Sequence, residues 1–384
     1  MVEGVGTKKK LATMGIFALC FGYFASYVPF SMLTKMATRG LFAGMDGVGF
    51  TGFEIQPIAI FAGLVAMYLF ITIKGWWKYA TQWKLGGLSL PRPRWFTFIS
   101  GLCTAGQIIT TIMAYTFGGV SIVFAMLLMR GGVLAMAPVV DLIVKKRKRK
   151  IYWPSWVAAL LSFGALIVAF AGKAGTAMTL VCAIDIAIYL FGYFFRLFIM
   201  SNFAKSSDES ERLRYFTEEQ TIAMPSLLLA MFFIALFGID AGRATVPGQL
   251  WYGFTAAIST GYFWHLAIMG VFSTGTGLFG TLIYLDRREN TFTVPANRSS
   301  SIIAGVIATY ALSFFYGQRM PSTYQLIGVA LILAAIVFLA YRAMIEKRQK
   351  VTAQVAEKCS ETEVSTQRNT STAAIKMQPV TEAE

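Results

Sequence analysis

The sequence predicts an all-α integral membrane protein, with about ten transmembrane helices arranged as two inverted five-helix repeats. Three observations carry that expectation: the composition, the length of the apolar blocks and a pair of matching motifs in the two halves. Hydrophobic residues make up 56% of the 384 positions and charged residues 14%, with a mean hydropathy of +0.60. Soluble globular chains carry about 25% charge. A soluble core has no room for this much apolar surface, so lipid is the expected solvent.

The apolar residues come in blocks of roughly 18 to 25, the length a helix rising 1.5 Å per residue needs to cross about 30 Å of hydrocarbon. In order, the blocks run 11–33, 53–73, 95–116, 119–144 and 153–172, then 178–203, 219–239, 251–273, 291–316 and 322–344. Backbone amides in hydrocarbon must pair internally, and the blocks lack the alternation of barrel strands, so each is expected to be a helix. The stretch from Ser273 to Asp286 either prolongs the eighth helix or forms a short interfacial piece. Lys8, Lys9 and Lys10 imitate the start of a secretory signal. The apolar run behind them is too long for one and no small-residue cleavage site follows, so it is expected to be the first membrane helix.

The expected organisation is a cytoplasmic N-terminus (1–10), a first five-helix repeat (11–172), a second (173–344) and a disordered cytoplasmic tail (345–384) rich in Thr, Gln, Glu, Lys and Ser. With the N-terminus cytoplasmic, alternation leaves only Lys35, Arg39, Lys173, Arg243 and Arg319 on the outer side, as the positive-inside rule requires. The run Lys145–Lys150 and the net charge of +15 follow the same logic and favour anionic lipid headgroups. They do not point to nucleic acid. A plasma or inner membrane is the favoured location, and the bilayer is the partner the composition implies; the oligomeric state is not readable. Four cysteines, with Cys20, Cys103 and Cys182 inside helices and Cys359 in the tail, make no disulfide framework.

The repeat is visible in Met129-Arg130-Gly131-Gly132 and Asn297-Arg298-Ser299-Ser300, at matching points of the fourth and ninth blocks. Each arginine is followed by a small and aliphatic helix, a polar turn with Pro-Ser (Pro154-Ser155; Pro321-Ser322) and a closing aliphatic helix. Five spans separate the copies, and an odd number inverts the second in the membrane. The turns agree: the first carries six cations, Lys145 to Lys150, and the second only Arg319.

On these motifs the chain resembles the drug/metabolite transporter superfamily, which includes the EamA proteins, nucleotide-sugar carriers and plastid phosphate translocators. Gly317 to Gly328, leading into Val329–Ala340, looks like that superfamily's junction between helices nine and ten, and Trp153–Gly172 is a weaker counterpart. The resemblance covers about 95–172 and 251–341; Gln318 stands where many EamA members carry a Glu before the turn. It implies a ten-helix secondary transporter, with helices three, six and nine lining a central cavity.

The candidate site residues are the polar groups inside the blocks. An ionised side chain deep in a span costs roughly 2.5 kcal/mol or more and usually faces the bundle interior or a water-filled cavity. Arg130 and Arg298, facing each other across a pseudo-twofold axis, would suit a carboxylate or phosphate, which Arg binds bidentately. The bland alternative is that each snorkels or pairs with an acid. Asp185 is expected to neutralise one of them, or to carry a coupled proton. Arg196, near the end of its block, is expected to snorkel. His265, expected mid-helix, is a proton relay, a ligand contact or an interhelical hydrogen bond. Gln107, Tyr115, Tyr189, Tyr193 and Asn297 add polar groups that either line the cavity or fasten helices. Ser273–Gly277 and Gly44–Gly49 imitate phosphate loops without the lysine and are expected to be turns or close helix contacts.

Enzymatic function is not expected. His265 has no Gly-x-Ser-Gly serine near it, one deep carboxylate makes no aspartyl pair, and one histidine with four cysteines makes no zinc site. No cofactor or nucleotide-hydrolysing motif is present. The expected function is secondary transport of a small anionic organic metabolite, by exchange or proton coupling. An amino-acid or cationic-drug exporter of the same superfamily ranks second, and a non-transporting receptor or assembly protein third.

Overall fold

The computed structural model describes residues 15–338 apart from 86–87, 117–121, 145–152, 172–179, 206–207 and 289, together with 340–342, 344–345, 348–349 and 352. The N-terminus 1–10, the Lys145–Lys150 run, Cys359 and most of the tail 345–384 lie outside the described residues.

Helix α1 (Ile16–Arg39) stops at Gly40, whose φ of 63° is the left-handed conformation glycine takes without a Cβ penalty. The loop behind it turns repeatedly, with positive φ at Gly44, Asp46 and Gly47, so this glycine cluster is a turn as expected. Helix α2 (Gly52–Ile73) opens on a capping box in which the Thr51 hydroxyl accepts from the Glu54 N–H and the Glu54 carboxylate accepts from the Thr51 N–H at 3.0 Å. A 3-10 turn (Trp76–Tyr79) and an antiparallel hairpin, β1 (Gln82–Leu85) with β2 (Leu88–Pro91), lead to α3 (Trp95–Thr116). Helices α4 (Ile122–Ile143), α5 (Trp153–Ala171) and α6 (Leu180–Ile199) follow, the last running into a π turn, Met200–Ala204.

Helix α7 (Glu209–Leu236) is capped by Asp208, which accepts from the Ser210 hydroxyl at 2.7 Å and N–H at 2.9 Å, holding its carboxyl below the usual aspartate range. Two short helices, α8 (Val246–Phe254) and α9 (Ala256–Ser259), precede the long α10 (Phe263–Tyr284), α11 (Asn290–Tyr316) and α12 (Thr323–Arg342). Among the described residues, eight helices are long and apolar enough to cross a membrane: α1, α2, α3, α6 with its π turn, α7, α10, α11 and α12.

The distribution of side chains is that of a multi-pass membrane protein. Large apolar groups such as Phe17, Phe21, Ile73, Phe163, Phe191, Phe233 and Phe314 point outward, while Arg130, Arg196, Arg298, Glu218, Glu219 and Asn297 are buried. Burying charges while exposing phenylalanines is favourable only where the surroundings are hydrocarbon.

Helix α1 packs on α10 and α11, and α6 packs on α3 and α4. Helix α2 packs on α10, α7 on α3, and α2 and α7 touch each other, as do α4 and α11. Glycines permit the closest crossings. A Cβ on Gly270 would meet the Ala59 carbonyl oxygen at 2.1 Å, so α2 and α10 approach to backbone contact. Asp141 at the end of α4 accepts from Asn290 Nδ2 (2.9 Å) and the Thr291 N–H (3.0 Å), fastening the start of α11.

Three expected boundaries are corrected. The first span runs to Arg39 rather than ending near 33, and Gly40 is where the chain leaves the helix. The seventh span starts at Glu209, not near 219, because Asp208 caps it and Glu209 and Glu211 suit the positive end of its dipole. The eighth runs Phe263–Tyr284 rather than 251–273, since the chain first folds into α8 and α9. The ambiguous stretch after Ser273 therefore prolongs that helix, and Ser273–Gly277 is helix, not turn. There a Cβ on Gly275 would meet Ser26 Oγ at 2.6 Å, the close contact of α10 with α1.

Candidate ligand cavity

A central cavity of about 70 Å³ lies between α1, α3, α4, α6, α7, α10 and α11. That exceeds the roughly 10–15 Å³ one water requires, so a polar guest fits. Helical periodicity sets its walls. Tyr23, Tyr27 and Phe30 come from one face of α1, and Thr104, Gln107, Ile108 and Thr111 from one face of α3. Ser273, Thr276, Gly277, Gly280, Thr281 and Tyr284 form one stripe of α10, where the small residues leave the space open. A Cβ on Gly277 would meet nothing within 4 Å.

Arg130 on α4 borders the cavity, and its guanidinium donates to the hydroxyls of Tyr27 and Tyr189 while lying 5.3 Å from each ring centroid. Arg196 on α6 also borders it. Its Nε donates to Glu219 Oε1 (2.9 Å), its Nη2 to Glu219 Oε2 (2.8 Å) and Thr281 Oγ1 (2.7 Å), and its Nη1 to Gln107 Oε1 (3.3 Å). This bidentate pair is fully buried, so Arg196 does not snorkel as expected; its charge is neutralised in place.

Arg298, adjacent in sequence to the lining residue Asn297, is 0% exposed and lies behind the wall. Its guanidinium carbon sits 4.5 Å from the Tyr193 ring centroid and 5.7 Å from that of Tyr284, the Tyr193 hydroxyl lies within reach of it, and no carboxylate pairs with it among the described residues. The two arginines therefore do not stand on facing walls of one cavity: Arg130 lines it and Arg298 is sealed off. Asn297 lines it, accepting at Oδ1 from Tyr284 (2.8 Å).

Asp185 is buried on α6 but pairs with neither arginine, and its Oδ2 has no partner among the described residues. The expected neutralising role is corrected: the acid that neutralises a buried arginine is Glu219. His265 is not mid-span. It sits exposed in the first turn of α10 against the Phe42 ring at 4.6 Å, away from the cavity. Tyr189 stands behind Arg130 rather than in the lining, Gln107 and Tyr193 line the cavity, and the side chain of Tyr115 is outside the described residues.

Sequence reasoning missed Glu218 and Glu219, because a span drawn from 219 puts both at a solvated flank. Glu219 also accepts from Ser100 Oγ at 2.5 Å and Thr104 Oγ1 at 3.2 Å. Glu218 accepts from Thr81 Oγ1 (2.6 Å), Thr97 Oγ1 (2.9 Å) and Arg94 Nε (3.0 Å), gathering the hairpin end of the molecule onto α7. At the other end of α2, some 33 Å away along its 22 residues, Glu54 accepts from Arg243 Nε at 2.7 Å. That contact holds the Arg243 guanidinium above its ordinary pKa. The readable signal was the pattern Glu54-x-Gln56 in α2 and Glu218-x-Gln220 in α7, about 165 residues apart.

No protein-family model matches the chain, and no curated protein matches it. Among solved structures, one described only as "Crystal structure of protein" is similar at 13% identity over 85% of this chain and 98% of its own length, with a TM-score of 0.49. A likeness this remote carries no functional assignment.

Proposed function

We propose that the chain is a secondary transporter of ten membrane spans, with both termini cytoplasmic, that moves a small anionic organic metabolite through the central cavity by alternating access. The observation that carries this is the uncompensated positive charge beside the cavity. Arg196 is neutralised by Glu219, whereas Arg298 has no acid partner among the described residues, only neutral tyrosines. A guanidinium so placed costs roughly 2.5 kcal/mol or more, and a bound anion in the cavity would offset it. The tyrosines at the walls and Gln107 supply neutral donors around such a guest. A cationic guest would meet repulsion from Arg130 and Arg298.

Inverted repeats are supported by the packing. Exchanging each span for the one five spans later turns the α1–α10 contact into α6–α3, α2–α10 into α7–α3 and α1–α11 into α6–α4, and all of these contacts occur. Tyr23-x3-Tyr27-x2-Phe30 in α1 matches Tyr189-x3-Tyr193-x2-Arg196 in α6. The ion pairs match as well: Glu54 at the start of α2 binds Arg243 beyond α7, and Glu218 early in α7 binds Arg94 beyond α2. Such repeats are the common device of alternating access and fit the resemblance to the drug/metabolite transporter superfamily.

A panel of anionic, neutral and cationic metabolites tests the proposal by thermal shift of the purified protein. Anions should raise the melting temperature, with about 2.7 kcal/mol of stabilisation at a hundredfold excess over Kd. Arg130→Lys keeps the charge but loses the planar fork, so the shift should shrink while the ligand-free melting temperature changes little. Hits confined to neutral or cationic compounds would favour the exporter reading instead.

A further inference from the structure

Three sets of matching positions, each about 165 residues apart, relate the two halves: Tyr23 with Tyr189, Gln56 with Gln220, and Arg130 with Arg298. Within the last two sets the partners stand in different surroundings. Arg130 and Gln220 line the cavity. Arg298 and Gln56 do not; both are 0% exposed, Arg298 has neutral tyrosines and no acid against it, and Oε1 and Nε2 of Gln56 have no hydrogen-bond partners among the described residues, whereas the unpartnered Nε2 of Gln220 belongs to a residue of the cavity wall. A sealed polar group without a partner forfeits its hydration and receives nothing in return, which a sequence tolerates when another state repays it.

We infer that the cavity-facing pair Arg130 and Gln220 exchanges with the sealed pair Arg298 and Gln56 when the transporter switches. This rests on the transport reading above. Two related halves that trade conformations also trade environments, so each sealed residue takes the setting its counterpart now has. Beside the Arg196, Gln107 and Asn297 already at the wall, every state then offers the substrate one guanidinium and one carboxamide of the exchanging set, always from opposite halves. Arg130 and Arg298 are successive contacts for one anion, and Gln56 is a substrate-contacting residue in the state not seen here. The outer-end position of Gln56, two residues after the Glu54 that binds Arg243, puts its access at the end of α2 opposite the hairpin.

Single-cysteine accessibility in proteoliposomes tests this. In a background with Cys20, Cys103, Cys182 and Cys359 replaced, Gln220→Cys and Gln56→Cys are exposed to a membrane-impermeant methanethiosulfonate from one face or the other. The expected result is modification of both, with at least tenfold faster reaction from opposite faces. Arg130→Cys and Arg298→Cys form a second pair with the same expectation, and Arg298→Cys removes a buried charge that has no acid partner among the described residues, so it should insert even if Gln56→Cys does not. Gln56→Cys and Arg298→Cys inert from both faces while their counterparts react, or both partners reacting from the same face, would overturn the exchange and leave transport standing. Inert Gln220→Cys and Arg130→Cys would instead overturn the cavity reading on which it rests.

Discussion

A buried arginine is characterised by what neutralises it, and the three on α4, α6 and α11 differ in that respect. Arg196 shares two nitrogens with one carboxylate, Arg130 donates to two tyrosine hydroxyls, and Arg298 lies against Tyr193 and Tyr284 with no acid beside it among the described residues. Breaking a buried pair strands the surviving charge, so Glu219→Gln should lower stability by about 3–5 kcal/mol, read as a fall in detergent melting temperature. Arg298→Met should leave that temperature unchanged or raise it, because a charge with no counter-charge among the described residues is replaced by an apolar group of similar length. Equal losses in both variants would mean that Arg298 has a counter-charge. The arginines were legible in the sequence because a charge inside an apolar block stands out. Glu219 was not, because it sits where a charged flank meets an apolar run, and only its partner on another helix reveals it as buried. His265 misled in the opposite way: an apolar neighbourhood suggested depth, but the helix begins two residues before it.

At the scale of elements, the cavity is a property of helix faces. On α10 the lining residues recur at intervals of three and four, and their smallness makes the space. Gly277→Leu should therefore fill the cavity and abolish ligand-induced thermal shift without lowering the ligand-free melting temperature. Gly275→Leu, aimed at Ser26 on α1, should destabilise the fold itself by the overpacking cost of about 1–3 kcal/mol. Should Gly277→Leu still respond to ligand, the cavity does not hold it. The long apolar spans were readable from length alone, α2 and α11 to within a residue of their boundaries. The starts of α7 and α10 were not: a charged, capped first turn outside the apolar run is invisible to hydropathy, and α8 is apolar enough to be mistaken for the beginning of the next span.

At the scale of the molecule, helices enclose a polar cavity in a body whose exterior is apolar, and the proposed reading makes them two related halves. The pairing of the Arg130 and Arg298 motifs indicated the relation, but the stronger evidence lay in patterns the sequence carries without advertising them, the Tyr-x3-Tyr faces of α1 and α6 and the Glu-x-Gln pairs of α2 and α7. Their significance depends on which faces pack inward, and only the fold supplies that. Transport itself is the central claim, and counterflow in proteoliposomes measures it most directly: vesicles preloaded with an unlabelled anion that shifts the melting temperature are given a trace of the same anion in labelled form. The expected result is transient accumulation of label above equilibrium, without ATP, reduced at least tenfold by Arg130→Ala in protein that still reconstitutes. Absence of accumulation for every stabilising anion, or accumulation that Arg130→Ala leaves intact, would contradict it.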